Sequence, residues 1–86
     1  MSPALPPLQP YANRSGDSGV VGYVIAGEAI VIAFTGGDCY LYDPVRPGAD
    51  HVRRMQELAT AGRGLGTYVS RHVRDRYRAR LPACGG

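Results

Sequence analysis

The arginines near the C-terminal end are the residues of this chain best suited to a defined chemistry, the binding of phosphate. Six of the ten arginines lie within residues 62–81, in the segment GRGLGTYVSRHVRDRYRARL. On a helix, at about 100° per residue, Arg71, Arg74 and Arg78 fall within roughly 60° of one another, and Arg63 flanks them from the preceding loop. Such a guanidinium cluster neutralises several phosphates in a salt-dependent, sequence-tolerant way.

Charge is also unevenly distributed along the chain. The first fifty residues contain two arginines and five acidic residues, whereas the remaining thirty-six contain eight arginines and two acidic residues. An electropositive C-terminal half is expected to face an anionic partner. The alternative is a solvated outer face, on which Asp75 pairs with Arg71 one helical turn away.

Residues that catalyse reactions or bind metals form no recognisable constellation. Ser70 and His72 are two positions apart, so on a helix they face different directions. Two histidines and two scattered cysteines give no metal-ligand spacing. The glycines at 62, 64 and 66 match neither the P-loop nor the dinucleotide fingerprint, which favours an interhelical linker over a phosphate seat. We therefore predict a protein that is not an enzyme and has no metal or cofactor.

The cysteines and the N-terminal sequence bear on location. One potential pair is not a disulfide framework, so Cys39 and Cys84 are predicted to be reduced thiols, with Cys39 as a small apolar filler. No apolar run is long enough to span a membrane. The start, MSPALPPLQP, lacks the basic and apolar regions of a secretory signal. These features predict a cytoplasmic protein without membrane contact.

The first half of the chain reads as an arm followed by strands. Residues 1–16 are rich in proline and predict a flexible arm. β-branched and aromatic residues predict strands over 20–25, 29–34 and 39–42. Because their connections are short, these strands form an antiparallel meander with the 29–34 strand in the middle.

The second half reads as two helices. Asp50 is the predicted N-cap of the first helix, which Gly62 ends. The second helix runs from about Leu65 to about Arg80, and its apolar stripe includes His72. Residues 82–86 are a flexible tail. The sequence thus predicts an α+β domain over residues 17–81, a three-stranded antiparallel meander with two helices packed on one face, in the order β-β-β-α-α.

The register of the second hairpin decides where two tyrosines point. A loop of residues 36–37 places Tyr40 and Tyr42 on the open face of the sheet. A loop of residues 35–37 pairs Tyr40 with Ile32 and turns both rings into the core, because a slip of one residue reverses every side chain.

Several short motifs follow one another in a characteristic order: Ser18-x-Val20-x-Gly22-Tyr23, Ile30-x-Ile32-x-Phe34, Tyr40-x-Tyr42, and Ala61-Gly62 before an aromatic-bearing helix ending in Tyr77. Over roughly residues 17–78 this order resembles the KTSC domain, a small bacterial domain named from the C-terminal end of some lysyl-tRNA synthetases. The resemblance implies RNA binding, which has been proposed for the family because of the synthetase connection. In the family the residue between the two tyrosines is usually polar, which implies that the tyrosines themselves face the core. The resemblance therefore also favours the loop of residues 35–37.

We therefore expect a small RNA-binding module that contacts the phosphates of a tRNA-like or other nucleic acid through four arginines, Arg63, Arg71, Arg74 and Arg78. Tyr40 and Tyr42 would stack on bases only in the register of the shorter loop. The alternative is a protein-interaction module or homodimer that uses the second face of the sheet, where Val31, Ala33 and Leu41 would be exposed.

Overall fold

The computed structural model describes residues 8–12, 19–73 and 76–81, which form an α+β fold of one antiparallel sheet and a helical layer. The strands are β1 (Gln9–Pro10), β2 (Val20–Ala26), β3 (Ala29–Phe34), β4 (Cys39–Tyr42) and β5 (Ala79–Leu81). The helical layer comprises α1 (Ala49–Ala61), α2 (Leu65–Tyr68) and a π-helical segment (Val69–Val73). No helix in these ranges is long and apolar enough to cross a membrane.

The sheet has the order β1-β2-β3-β4-β5, with every neighbouring pair antiparallel. The predicted meander of β2, β3 and β4 is therefore confirmed, with β3 in the middle. The prediction missed the two outer strands, so the sheet has five strands where three were expected. The segments that form β1 and β5 were predicted to be a flexible arm and the end of a helix.

The C-terminal strand replaces the last part of the predicted second helix. Helical structure ends at Val73, and β5 pairs with β4, so a helix continuing to Arg80 was wrong. The reason is charge, because a helix would have placed Arg80 near its apolar stripe. In β5 the side chain of Arg80 is exposed while those of Ala79 and Leu81 are half-buried, as the two-residue period of a strand requires.

Part of the predicted flexible arm also belongs to the fold. The backbone of β1 pairs with β2, and the Tyr11 side chain is buried in the core. The buried amide of Leu65 donates a hydrogen bond to the Tyr11 hydroxyl at 3.1 Å. The hydroxyl satisfies one of the orphan amides at the start of α2, so residues 8–12 belong to the domain and their assignment to a flexible arm was wrong. The rest of the arm and the tail at 82–86 lie outside the described residues.

The second hairpin has the longer of the two loops considered. Ile32 pairs with Tyr40 and Ile30 pairs with Tyr42, which confirms the loop of residues 35–37. Gly36 and Gly37 have φ angles of 100° and 94°, a region that favours glycine. Both tyrosine side chains therefore face the helical layer.

The predicted C-terminal end of the first helix is confirmed, whereas its predicted N-cap was wrong. Gly62 ends α1 in the left-handed conformation, with its amide donating to the carbonyls of Leu58 and Ala59, as a C-terminal glycine is expected to do. Gly48, not Asp50, occupies the N-cap position. Asp50 lies in the first turn, where its negative charge still complements the helix dipole.

The helical layer packs on one face of the sheet, as predicted. There the helices bury Val52, Met55, Leu65 and Val73 against Ile30, Ile32 and Tyr42 of the sheet. The opposite face carries a second cluster formed by Val24, Val31, Ala33 and Cys39, with Leu8, Leu41 and Leu81 packed against it.

The second cluster is buried, which contradicts a premise of the predicted homodimer or protein-interaction module. We expected Val31 and Ala33 to be exposed, but they are 2% and 4% accessible, and Leu41 is half-buried. Leu8 beside β1 and Leu81 in β5 pack against this face, and both belong to segments that the sequence had not assigned to the sheet. The expected apolar patch is therefore covered within the chain.

Cys39 differs from its prediction as well. It is buried on β4, as expected of a small apolar filler, but it is disulfide-bonded and not a reduced thiol. The other cysteine of the chain, Cys84, lies outside the described residues. Disulfides persist in oxidising compartments, so the cysteines no longer support a cytoplasmic location.

Candidate nucleic-acid interface

The structure separates the arginines that the sequence had grouped on one helical face. Arg71 lies in the π-helical segment and Arg63 in the loop before α2, and both are exposed. Arg78 lies beyond the helical layer, where its amide donates to the carbonyl of Leu41. The predicted face is therefore wrong with respect to Arg78, because helical structure ends at Val73. Arg74 lies outside the described residues.

Several arginines are neutralised by nearby carboxylates. Four ion pairs join Arg53 to Asp50 (3.9 Å), Arg54 to Glu57 (3.2 Å), Arg78 to Asp43 (3.4 Å) and Arg80 to Asp38 (2.8 Å). Exposed pairs of this kind contribute little to stability, but they reduce the local positive potential. Within the described residues Arg46, Arg63, Arg71 and Arg76 make no such pair. Of the predicted phosphate contacts, Arg63 and Arg71 thus have no carboxylate partner among the residues that the structure describes.

Neither predicted stacking tyrosine is positioned to receive a base. The side chain of Tyr42 is 1% accessible and lies in the core. Tyr40 is half-buried, with its ring centroid 4.5 Å from that of Tyr77 and 5.6 Å from that of Phe34. These rings serve packing, as the register of the longer loop implied, so Tyr40 and Tyr42 are removed from the candidate interface.

A different group of aromatic side chains meets on the surface of the helical layer. We call His51 of α1, Tyr68 of α2 and His72 of the π-helical segment the ring cluster. The Tyr68 and His72 centroids are 4.4 Å apart, those of His51 and Tyr68 5.9 Å, and those of the two histidines 6.4 Å. His51 and Tyr68 are half-buried, whereas His72 is exposed. The fold therefore presents three rings together at one accessible place.

The local structure explains this arrangement. Tyr68 and His72 are four residues apart, so they share one face of the helical segment. Val69 and Val73 are buried and anchor the same segment to the core. A short π-helical stretch of this kind often occurs at functional sites. The spacing of Tyr68 and His72 was visible in the sequence, but His51 joins them only because α1 packs against α2, which the sequence did not reveal.

His72 also corrects an expectation. It was placed within the apolar stripe of the second helix, yet its side chain is exposed. The π-helical geometry shifts side chains relative to a regular helix, since its hydrogen bonds span five residues instead of four. His72 is therefore available to a ligand.

A hydrogen bond joins two members of the ring cluster, and burial affects the pKa of one of them. Nδ1 of His51 and the hydroxyl of Tyr68 form a hydrogen bond of 2.7 Å. Burial raises the pKa of the Tyr68 phenol above its ordinary value of 10.0; Arg54 opposes this shift and Asp50 adds to it. The Tyr68 phenol is consequently protonated and uncharged at neutral pH.

The raised pKa of Tyr68 predicts a loss of stability in alkali. The folded state holds the phenol proton more tightly than the unfolded state, so this contribution is complete below the unfolded pKa and is lost as the pH rises through the folded pKa. Between about pH 9 and about pH 11, the free energy of unfolding in urea should decrease more for the wild type than for Tyr68→Phe, which has no ionisable group at position 68. Equal decreases in the two proteins would contradict this account.

Two clefts among the described residues lie apart from the ring cluster. A cleft of about 110 Å³ is lined by Gly27, Glu28, Ala49, Arg53 and Gln56, below the usual volume of a small-molecule site. Neither this cleft nor the shallow groove beside Ile25 is lined by the ring cluster. In the part of the chain that the structure describes, no three histidine, cysteine or acidic residues group as metal ligands. A surface of charges and rings suits an extended polymer.

Comparisons with family models, curated proteins and solved structures returned no match for this chain.

Proposed function

We propose that this chain is a small non-enzymatic nucleic-acid-binding module, with RNA as its preferred partner, and that the helical layer is its contact surface. The observation that carries the proposal is the placement of Arg63 and Arg71. Both are exposed on the helical layer and form no ion pair within the described residues. A guanidinium in this state is suited to phosphate, which it binds with charge-assisted hydrogen bonds.

The charge balance of the helical layer supports the same function. Between Ala49 and Val73 there are four arginines and two acidic residues. Both acidic residues lie beside arginines of α1, at 3.9 Å and 3.2 Å. Among the described residues this leaves the charges of Arg63 and Arg71 to attract an approaching polyanion over roughly a Debye length of 8–10 Å.

The neighbourhood of Arg71 supports RNA in particular. Arg71 directly precedes His72, an exposed member of the ring cluster. Surfaces that combine basic side chains with accessible rings bind single-stranded nucleic acid, and unpaired bases are most abundant in RNA loops and ends. The resemblance to the KTSC domain supports the same partner.

The homodimer through the second sheet face has less support than nucleic-acid binding. Its premise was exposed apolar side chains, but Val31 and Ala33 are buried. The cytoplasmic location stays a prediction, and the disulfide at Cys39 weighs against it. The proposed contact surface does not involve Cys39, so the two questions can be tested separately.

The proposal is tested by a salt titration of RNA binding with matched variants. The double variant Arg63→Ala/Arg71→Ala removes two exposed charges that form no ion pair among the described residues, and Arg78→Ala/Arg80→Ala removes two exposed arginines that are already paired and lie outside the helical layer. If both unpaired arginines contact phosphates, the slope of log K against log salt should decrease by about 1.4 in the first variant, since each contact with a single strand contributes about 0.7. The control should change the slope much less, although its net charge changes equally.

Two results would refute the proposal. One is the absence of RNA binding by the wild type at low salt. The other is an equal change of slope in the two double variants, because that would assign binding to net charge and not to the contact surface.

A further inference from the structure

We propose that the ring cluster of His51, Tyr68 and His72 is a stacking site for one unpaired nucleobase, which makes single-stranded RNA the preferred ligand. The inference rests on the proposed function, and it adds to it the part of the ligand that is recognised. The arginines supply contacts to phosphate, whereas the ring cluster supplies a contact to a base.

The geometry of the ring cluster suits this role. The ring centroids of Tyr68 and His72 lie 4.4 Å apart with an angle of 35° between their planes, a tilted contact in which one ring packs against the other. His72 is exposed and Tyr68 is half-buried, so the outer ring has area that its neighbour does not cover. A nucleobase stacked there would continue the existing column of rings.

The rings are also held in place before any ligand arrives. The hydrogen bond of 2.7 Å between His51 and Tyr68 fixes the inner ring. Burial of Val69 and Val73 fixes the backbone that carries His72. A surface that is already ordered loses little entropy when it binds. The ring cluster therefore differs from an exposed aromatic side chain that happens to lie on a helix.

The position of Arg71 connects the two kinds of contact. It lies next to His72 in the chain, on the same π-helical segment. Neighbouring side chains of a helical segment point in different directions, so we expect Arg71 to contact a phosphate that flanks the stacked nucleotide while the base lies on His72. In a duplex the bases are already stacked on each other, so the ring cluster would have no base to receive.

The test uses a single-stranded RNA of about ten nucleotides that carries one 2-aminopurine, a base whose fluorescence changes on stacking. Binding is measured across salt concentrations at a constant pH. His72→Ala should weaken binding about tenfold at every salt concentration without changing the slope, and should abolish the change in fluorescence. His72→Phe should restore both, because it restores a ring. Ser70→Ala, at an exposed position of the same segment, is the matched control.

The outcomes separate this inference from the proposed function. If the wild type binds RNA with the arginine-dependent slope but His72→Ala binds equally well, the stacking site is refuted while the phosphate contacts stand. The same holds if His72→Phe binds as weakly as His72→Ala, or if a duplex of the same sequence binds as tightly as the single strand. If the wild type binds no RNA, both proposals are refuted. Urea unfolding of each variant identifies any loss that comes from misfolding.

Discussion

Replacing Tyr42 with alanine should lower the free energy of unfolding by about 3–5 kcal/mol, the usual cost of removing a large buried ring. Its side chain is 1% accessible and packs in the main core with Ile30, Ile32 and Met55. A small domain has about 5–15 kcal/mol of stability in total, so this change removes a large part of it. Urea denaturation followed by circular dichroism measures the loss.

The neighbouring residue provides the matched control. Leu41 lies on the opposite face of the same strand and is half-buried. Leu41→Ala should therefore destabilise the protein less than Tyr42→Ala does. Equal losses at the two positions would contradict the assignment of Tyr42 to the main core and of Leu41 to the second cluster.

A second variant separates packing from ligand binding at Tyr42. Tyr42→Leu keeps an apolar side chain in the core but removes the aromatic ring. Because Tyr42 is inaccessible, the folded fraction of this variant should bind RNA as tightly as the wild type. A selective loss of RNA affinity in a protein that is still folded would return Tyr42 to the candidate interface.

The tyrosines also show how far the sequence determined the sheet. Alternating side chains predicted β2, β3 and β4, and the motif Tyr40-x-Tyr42 together with the two glycines of the hairpin limited the register to two possibilities. Local sequence could not choose between them, since both loops are sterically acceptable. The choice depends on which face is covered by the helices, and that is a property of the whole fold.

The outer strands were missed for a different physical reason. Gln9–Pro10 is too short and too rich in proline to be recognised as a strand, and its place is determined by Tyr11, whose ring is buried and whose hydroxyl accepts a hydrogen bond from Leu65. At the other end, helical periodicity continued past Val73 in the sequence. The sequence contained one contrary sign: in a continued helix Arg76 and Arg80 would lie near the apolar stripe. Arginine side chains are rarely buried in a core.

The candidate interface was predictable only in part. Exposed arginines follow from composition, so Arg63 and Arg71 were expected and are found on the surface. Their neutralised counterparts were not distinguishable, because an ion pair such as Arg78 with Asp43 joins residues distant in sequence. For the same reason His51 could not be connected with Tyr68 and His72. Contacts between separate elements require the tertiary fold, and this interface is made largely of them.

Reducing the disulfide at Cys39 should lower the free energy of unfolding by about 2–4 kcal/mol, the typical contribution of a disulfide. Cys39 is buried on β4 and pairs with Leu81 of the edge strand β5. A domain of this size buries a modest core, so the loss is a large fraction of its stability. Urea denaturation with and without dithiothreitol measures it.

Cys39→Ala is the control, because it cannot form the disulfide. It should be less stable than the oxidised wild type and should not respond to dithiothreitol. A wild-type protein that does not respond either would refute the disulfide. The result also decides whether the cytoplasmic location can stand: a cytoplasmic module must remain folded and bind RNA when reduced, since glutathione and thioredoxin keep thiols reduced there. If the reduced protein unfolds at physiological temperature, RNA binding by the helical layer has to take place in an oxidising compartment.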